Sequence, residues 1–202
     1  MSIKKTLVAV AALGAMAGSA AASDWLFRIG AHNVDPKSNG HPALKVESAA
    51  SLSLSATYFV TDNWAVEVLG ALPFEHDIKA PGLNLGKVAS TKHLPPTVEI
   101  QYHFMPDGKF RPYIGAGLNY TFFFDKKTTS ALAGTKVYLD SSFGPSVDIG
   151  ADFALNDDWA INVSARWIDI DTKAASSALG ALGTVHIDPI AIGLMVTRKV
   201  SF

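Results

Sequence analysis

The sequence predicts an all-β protein: an eight-stranded antiparallel transmembrane β-barrel with short periplasmic turns and long extracellular loops. Apolar and polar residues alternate most clearly over residues 97–104, and this two-residue period recurs about eight times. The connections between the alternating segments are short and long in turn. Hydrophobic residues make up 49% of the chain, yet beyond the first 22 residues they form no block long enough for a membrane-spanning helix.

The first three predicted strands comprise residues 24–34, 49–60 and 64–74. Each has bulky apolar residues at every second position. The positions between them carry Arg28 in the first strand, serines and a threonine in the second, and Glu67 in the third. Each strand therefore has one apolar and one polar face.

The fourth and fifth predicted strands comprise residues 97–104 and 110–124. In the fourth, valine, isoleucine, tyrosine and phenylalanine alternate with polar residues that include Glu99. The two strands are joined by residues 105–109, where a proline and an Asp-Gly pair indicate a tight turn. In the fifth strand, apolar residues alternate with a row that contains Tyr113 and two glycines.

The last three predicted strands comprise residues 139–154, 159–170 and 185–202. Their polar faces carry two aspartates, an arginine and a lysine, respectively. The chain ends in Phe202 on the apolar face. A terminal aromatic residue on an alternating strand resembles the signal that the bacterial barrel-assembly machinery reads, so we expect that machinery to be a partner during biogenesis.

The lengths of the connections separate a membrane barrel from a soluble β-sandwich. A sandwich buries its apolar faces, whereas a barrel turns them to lipid and its polar faces to the lumen. The connections after the second, fourth and sixth strands have three to five residues, whereas the others are long: 35–48, 75–91, 125–138 and 171–184. Short turns at one end and long loops at the other are typical of outer-membrane barrels.

The N-terminal segment predicts export. Residues 1–22 contain Lys4 and Lys5, an uncharged apolar run and small residues at a cleavage site, as in a signal peptide, which leaves residues 23–202 as the barrel domain. Removing the two lysines from the 17 Lys and Arg leaves 15 against 18 Asp and Glu, a net charge of −3. This balance gives no indication of nucleic-acid binding. The absence of cysteine excludes disulfides and thiolate chemistry and fits a bacterial envelope protein.

Several segments resemble the outer membrane protein W family of eight-stranded barrels. They are residues 61–67, 92–97, 111–120, 122–125, 169–172 and 188–189. The resemblance extends over the chain after the signal peptide, loops excepted. It implies a narrow, monomeric barrel in the outer membrane of a Gram-negative bacterium, embedded in lipid. It also implies uptake of small hydrophobic molecules, which enter an apolar funnel from outside and leave sideways through the barrel wall.

Charged residues occupy the polar faces of seven predicted strands. An eight-stranded barrel is nearly filled by its own side chains, so a wide aqueous pore is excluded. The charges are then either a network of pairs that plugs the lumen or an ion path, and we expect the plug. The residues are Arg28, Glu67, Glu99, Arg111, Asp148, Asp152, Arg166 and Lys199.

A second set of inward positions is apolar: Leu69, Tyr113, Phe123, Ile168 and Met195. These side chains could line an apolar pocket above the charges, or they could simply fill a tight barrel. The resemblance favours the pocket. Leu69 matches a position that constricts the funnel floor in the family, and the usual aromatic partner of that position aligns with Arg166.

Pro95 and Pro96 precede the fourth strand. Proline has no backbone N–H and cannot donate to a strand ladder. Two prolines in succession either mark the point where the strand starts or open a gap in the wall through which a solute leaves. Both readings hold if the gap lies near the outer leaflet.

The sequence predicts no catalytic residue, cofactor or metal site. The six histidines lack close metal-ligand spacing, and Asp169 and Asp171 lack a calcium-binding loop. A lipid-modifying enzyme would need a nucleophile, a histidine and an acid together, for which Ser90, His93 and Asp125 are the one nearby set. We expect a channel, with a surface-interaction barrel, an adhesin or a phage or colicin receptor, as the alternative.

Overall fold

The computed structural model describes residues 24–37, 45–129, 132–178 and 180–201. The predicted signal peptide, residues 38–44 and Phe202 lie outside these ranges. Within them, no helix is both long enough and apolar enough to cross a membrane. The strands are β1 (Asp24–Asp35), β2 (Lys45–Val46), β3 (Ala49–Phe59), β4 (Trp64–Ala71), β5 (Phe74–Ala80), β6 (Leu85–Leu94), β7 (Thr97–His103), β8 (Phe110–Thr128), β9 (Val137–Leu139), β10 (Ser142–Ala154), β11 (Trp159–Ile168), β12 (Asp171–Ser176), β13 (Gly180–His186) and β14 (Ile190–Ser201).

Eight of these strands close into an antiparallel barrel, which confirms the predicted fold. The wall runs β1, β3, β4, β7, β8, β10, β11 and β14, and β14 pairs with β1 from Asp24↔Ser201 to Asp35↔Ile190. The pairing of β8 with β10 closes the circuit at the other side. Along these ladders closure leaves no free edge, so their backbone groups are satisfied without water.

The two faces of the wall have opposite character. Ile29 is 62% exposed on the outside, whereas its neighbour Arg28 is 1% exposed on the inside. The same contrast recurs around the barrel, where the exposed outer residues include Leu54, Val98, Ile100, Ile114, Leu118, Val147, Ile149, Val163, Ile192 and Leu194. A continuous apolar belt of this kind is stable only in contact with lipid.

Aromatic rings lie at the end of the barrel that carries the short turns. Trp25 packs against Tyr58 with ring centroids 5.0 Å apart, and the Arg198 guanidinium lies 5.2 Å from the centroid of the Trp159 ring. Indole and phenol rings favour the headgroup region of a bilayer. Arg198 is outward-facing, and its position over Trp159 keeps its charge at this interface.

The structure differs from the sequence prediction above the lipid belt. The predicted loop 75–91 is a hairpin of β5 and β6, and the predicted loop 171–184 contains the hairpin of β12 and β13. The third predicted strand is interrupted at Pro73, which separates β4 from β5. The outer face of β5 carries Glu75 and Asp77 where a membrane strand would carry apolar residues. This hairpin extends the wall into water, so it lacks the lipid-facing pattern.

Candidate functional site

The centre of the lumen is crossed by a network around Arg166. One atom, Nη2, lies 2.6 Å from Glu67 Oε2, 2.9 Å from Glu99 Oε2 and 2.9 Å from Asp148 Oδ2. All four side chains are buried. They project from β11, β4, β7 and β10, so the network ties strands from separate parts of the wall together.

Arg28 extends this network toward the short-turn end. Its Nη2 lies 2.7 Å from Asp152 Oδ2, and its Nη1 lies 3.1 Å from Glu67 Oε1 and donates to Thr57 Oγ1 at 2.7 Å. Glu67 therefore contacts both arginines. We call the six residues the charge plug: Arg28, Glu67, Glu99, Asp148, Asp152 and Arg166. Buried opposite charges at hydrogen-bond distance offset the cost of removing each from water.

Arg111 and Lys199 were grouped with these charges by sequence, but the structure does not bring them to the plug. Arg111 Nε donates to the carbonyl of Gly108 at 2.8 Å in the turn after β7. Lys199 Nζ pairs with Asp24 Oδ2 at 2.6 Å, and both side chains are about one-third exposed. Both residues lie on the inward parity of their strands, and each lies nearer the periplasmic rim than the plug does.

Tyr113 lies on the periplasmic side of the plug and does not line a pocket above it. Its ring stacks on His103 at 5.0 Å, and Asn162 Nδ2 donates to its hydroxyl at 3.2 Å. Its space is provided by Gly150, where an added Cβ would meet the Tyr113 hydroxyl at 2.5 Å. Any larger residue at position 150 would displace the ring.

The remaining predicted pocket residues lie at several depths. Leu69, Ile168 and Met195 are buried, and Phe123 is half-buried on the upper part of β8. The apolar cluster in the upper barrel is formed instead by Val34, Ala49, Phe74 and Ala191, with Ala71 packed against it. The sequence did not predict this cluster, because its members lie at strand ends and two of them are alanines, which give a weak apolar signal.

The wall is interrupted beside Pro95 and Pro96. The β4–β7 ladder ends at Leu69↔Thr97, and pairing resumes only at Phe74↔His93 between β5 and β6. Residues 70–73 and 94–96 form no rung with each other, and we call this interval the wall gap. On its other side the proline segment remains attached to β8, because the Tyr120 N–H donates to the Pro96 carbonyl at 3.0 Å.

Asn119 fastens the lower edge of the wall gap from inside the lumen. Its Nδ2 lies 3.0 Å from the Pro95 carbonyl, 3.2 Å from the Pro96 carbonyl and 2.9 Å from Thr97 Oγ1. Thr121 in turn donates to Asn119 Oδ1 at 2.7 Å. The Pro96 carbonyl also accepts from the Tyr120 N–H, and the Pro95 carbonyl also accepts from Thr97 Oγ1 at 3.0 Å, so Asn119 adds a second donor to each carbonyl.

Two histidines lie on the first strands above the wall gap. The rings of His76 and His93 stack at 4.9 Å, and Phe74 stacks on the other face of His93 at 5.3 Å. Burial, followed by the nearby His76, lowers the pKa of His93 to about 3. Burial also lowers the pKa of His76. Both rings are therefore neutral at physiological pH.

The candidate catalytic set does not assemble. Asp125 pairs with Lys92 at 2.9 Å, and His93 Nε2 is buried without a hydrogen-bond partner among the described residues. The Lys92 ammonium lowers the pKa of Asp125. The geometry required for a nucleophile, base and orienting acid is not present at these three positions.

Among the residues that the structure describes, two clusters have donor atoms close enough to hold a cation. One comprises Glu67, Glu99 and Asp148, but its shared position is taken by Arg166 Nη2. The other comprises three exposed or half-exposed residues of the extracellular region: Asp171, His186 and Asp188. Burial and the two neighbouring carboxylates raise the pKa of Asp169 beside this second cluster.

Comparison with known proteins gives a consistent family. The OmpW family model matches residues 21–199. Outer membrane protein W of Vibrio cholerae is 38% identical over 195 residues, covering 87% of this chain and 89% of that protein. Outer membrane protein W of Escherichia coli K12 is 37% identical over 201 residues, covering 92% and 94%.

A solved structure agrees with these relatives. The crystal structure of the outer membrane protein OprG from Pseudomonas aeruginosa superimposes with a TM-score of 0.79 at 35% identity, covering 89% of this chain and 96% of that one. A more distant relative, the dibenzothiophene metabolism operon protein PahQ of Pseudomonas aeruginosa, is 28% identical over 217 residues, covering 98% of this chain and 99% of that protein.

Proposed function

The chain belongs to the OmpW family of outer-membrane β-barrels, and from that premise we propose that it is a channel for passive uptake of small hydrophobic molecules. The solute enters from the extracellular end and leaves sideways through the wall gap into the outer membrane. No cofactor or reaction is needed, because the gradient of the solute and its preference for lipid drive the movement.

One observation carries the proposal: the wall gap begins directly above the charge plug. Glu67 and Glu99 face each other in the ladder, Leu69 and Thr97 form the next inward rung, and pairing then stops. An apolar solute descending the lumen meets paired charges below and an unpaired wall at its side. The lateral path avoids desolvating the plug.

The energetics favour this direction for an apolar solute. Moving apolar surface from water to lipid gains about 25 cal/mol per Å². Unsatisfied backbone groups at membrane depth are costly, so a gap in a membrane wall requires compensation. Asn119 provides it at the carbonyls of Pro95 and Pro96. The relative whose name refers to dibenzothiophene metabolism supports an aromatic, water-insoluble class of solute.

The test is uptake of a fluorescent hydrophobic reporter by vesicles that contain the protein. Replacing both prolines, Pro95→Ala with Pro96→Ala, restores two backbone N–H groups and allows the ladder to close. We expect the uptake rate to fall several-fold. Pro145→Ala is the matched control, because Pro145 lies on a lipid-facing position of β10 away from the gap. Unchanged uptake in the double variant, with the control normal, would sink the proposal.

A surface-interaction barrel is the second candidate. The sheet of β9, β12 and β13 is separate from the barrel wall, and nearly every residue of β13 is exposed. Such a sheet offers a contact surface to a phage, a colicin or a host cell. Replacing residues 171–186 by a short Gly-Ser turn would abolish adsorption of such a partner while leaving reporter uptake intact. Loss of uptake with normal adsorption would count against this role.

A further inference from the structure

Four inward rings line one side of the upper barrel, at and above the first rung beyond the wall gap. The His93 ring stacks with both the His76 ring and the Phe74 ring. The centroid of the Phe123 ring lies 5.9 Å from that of His93. We call this set the aromatic column. His76, His93 and Phe74 are all at least 96% buried, whereas Phe123 is half-buried. A solute that reaches the gap from outside passes this column.

Each histidine of the column has an unused nitrogen. His76 Nε2 and His93 Nε2 are buried and have no hydrogen-bond partner among the described residues. A buried polar atom left without a partner is costly, because it has given up its hydrogen bonds to water. Two such atoms on stacked rings form a buried polar spot within an otherwise aromatic cluster, and a ligand that bonded to them would recover part of that cost.

The hydrogen bond between His76 Nδ1 and the backbone determines whether His76 Nε2 is a donor or an acceptor. Its Nδ1 lies 2.6 Å from the Glu47 carbonyl, and a carbonyl can only accept. Nδ1 therefore carries the proton, and in a neutral ring Nε2 is then a bare acceptor. The ring is neutral because burial lowers its pKa, although Asp77 opposes this shift. The column thus presents an acceptor and needs a donor.

We propose that the aromatic column binds planar aromatic solutes that carry a hydroxyl donor, such as phenols and naphthols. This inference deepens the proposed uptake function and rests on it. The solute ring packs against Phe123 and the stacked rings, and its O–H donates to the imidazole Nε2. An aromatic hydrocarbon without a hydroxyl gains the packing and leaves the nitrogen unsatisfied.

The experiment measures the affinity of the full-length protein in lipid nanodiscs for 2-naphthol and for naphthalene. One hydrogen bond of about 1.4 kcal/mol corresponds to a tenfold preference, so we expect 2-naphthol to bind about tenfold more tightly. In the same sample, the Nε2 resonance of the column histidines in the nitrogen-15 spectrum should shift on addition of 2-naphthol and stay in place with naphthalene.

Three variants identify the source of the preference. His93→Phe keeps the stack and removes the nitrogen, so the preference should drop while naphthalene affinity is retained. His76→Asn keeps a donor for the Glu47 carbonyl and removes Nε2, and it should act in the same direction. His186→Phe is the control, since His186 is exposed on β13 and pairs with Asp171. It should retain the full preference.

The outcomes separate this inference from the function on which it rests. Equal affinities for the two solutes, or a preference that survives both column variants, would overturn the aromatic column as a hydroxyl site. Failure of vesicle uptake for both solutes, with the nanodisc preference and the histidine shift intact, would overturn the proposed channel and leave the binding site standing.

Discussion

The lower and upper halves of the lumen treat polar groups in opposite ways. In the lower half, the wall is laddered continuously and the charge plug pairs its side chains across the barrel. In the upper half, the wall is interrupted at the prolines, and the Asn119 side chain donates to the Pro95 and Pro96 carbonyls at the edge of the interruption. The comparison teaches that paired charges cross the lumen and that the wall ladder is interrupted, at adjacent depths.

The largest expected effect comes from breaking the plug. Arg166→Met leaves Glu67, Glu99 and Asp148 buried around a missing cation, and removing one partner from a buried ionic network costs about 3–5 kcal/mol. Urea unfolding in lipid vesicles would measure the lost free energy of unfolding. Arg111→Met is the control, because Arg111 donates to the Gly108 carbonyl in the adjacent turn and forms no ion pair with the described part of the plug. Equal losses in the two variants would contradict the plug.

The next largest effect is expected in the upper half of the lumen, beside the wall gap. Asn119→Ala removes one donor from each of the Pro95 and Pro96 carbonyls, which keep Thr97 Oγ1 and the Tyr120 N–H, so it should lower the free energy of unfolding by about 1–2 kcal/mol. Amide exchange should rise at Thr97 and Tyr120, which border the wall gap, and remain slow around the plug. An equal increase in the amide exchange rate throughout the barrel would show that Asn119 stabilises the whole fold and not this edge in particular.

The stability of the upper half is also expected to depend on pH. The unfolded pKa of histidine is about 6.5, and that of folded His93 is about 3, so the unfolded chain binds the extra proton below pH 6.5. Stability is therefore unaffected above pH 6.5 and declines as pH falls toward 3, by at most about 1.4 kcal/mol per pH unit. Amide exchange of the β5–β6 hairpin should accelerate in this window, and His93→Phe should reduce the acceleration. Acceleration of equal size in the variant would show that His93 is not responsible.

The smallest effect is expected at the periplasmic rim. Lys199 and Asp24 pair at 2.6 Å but remain about one-third exposed. Lys199→Met should change the free energy of unfolding by less than about 1 kcal/mol, since water and salt screen such a pair. A loss as large as that of Arg166→Met would remove the distinction between rim and plug charges.

The sequence predicted which way side chains face, but not how deep they lie. Alternation placed Arg166, Arg111 and Lys199 inside alike, because a two-residue period reports only the face of a strand. Depth depends on strand register and tilt, which bring Arg166 to three carboxylates and leave Arg111 at a turn. The partners Glu67, Glu99 and Asp148 come from distant parts of the chain, so spacing could not pair them.

The hairpins and the wall gap show a second limit. β5 and β6 carry charged outer faces in water, so a search for lipid-facing strands passes over them. Pro95 and Pro96 marked an interruption, yet only the ladders show that it opens toward β4 and β5 while β8 stays attached. The sequence predicts Phe74 at the end of the third strand. Its stacking on His93 follows from the pairing of β5 with β6, which residue alternation does not show.

The most direct measurement of the central claim compares two ways of changing the path in one vesicle assay. The Pro95→Ala, Pro96→Ala variant closes the side of the barrel, and Arg28→Ala loosens its axis. Lateral exit predicts that the first variant loses uptake of a hydrophobic reporter, while the second changes only the leak of small ions. Normal reporter uptake in the proline variant together with increased reporter uptake in Arg28→Ala would show that solutes travel along the axis and would contradict the account.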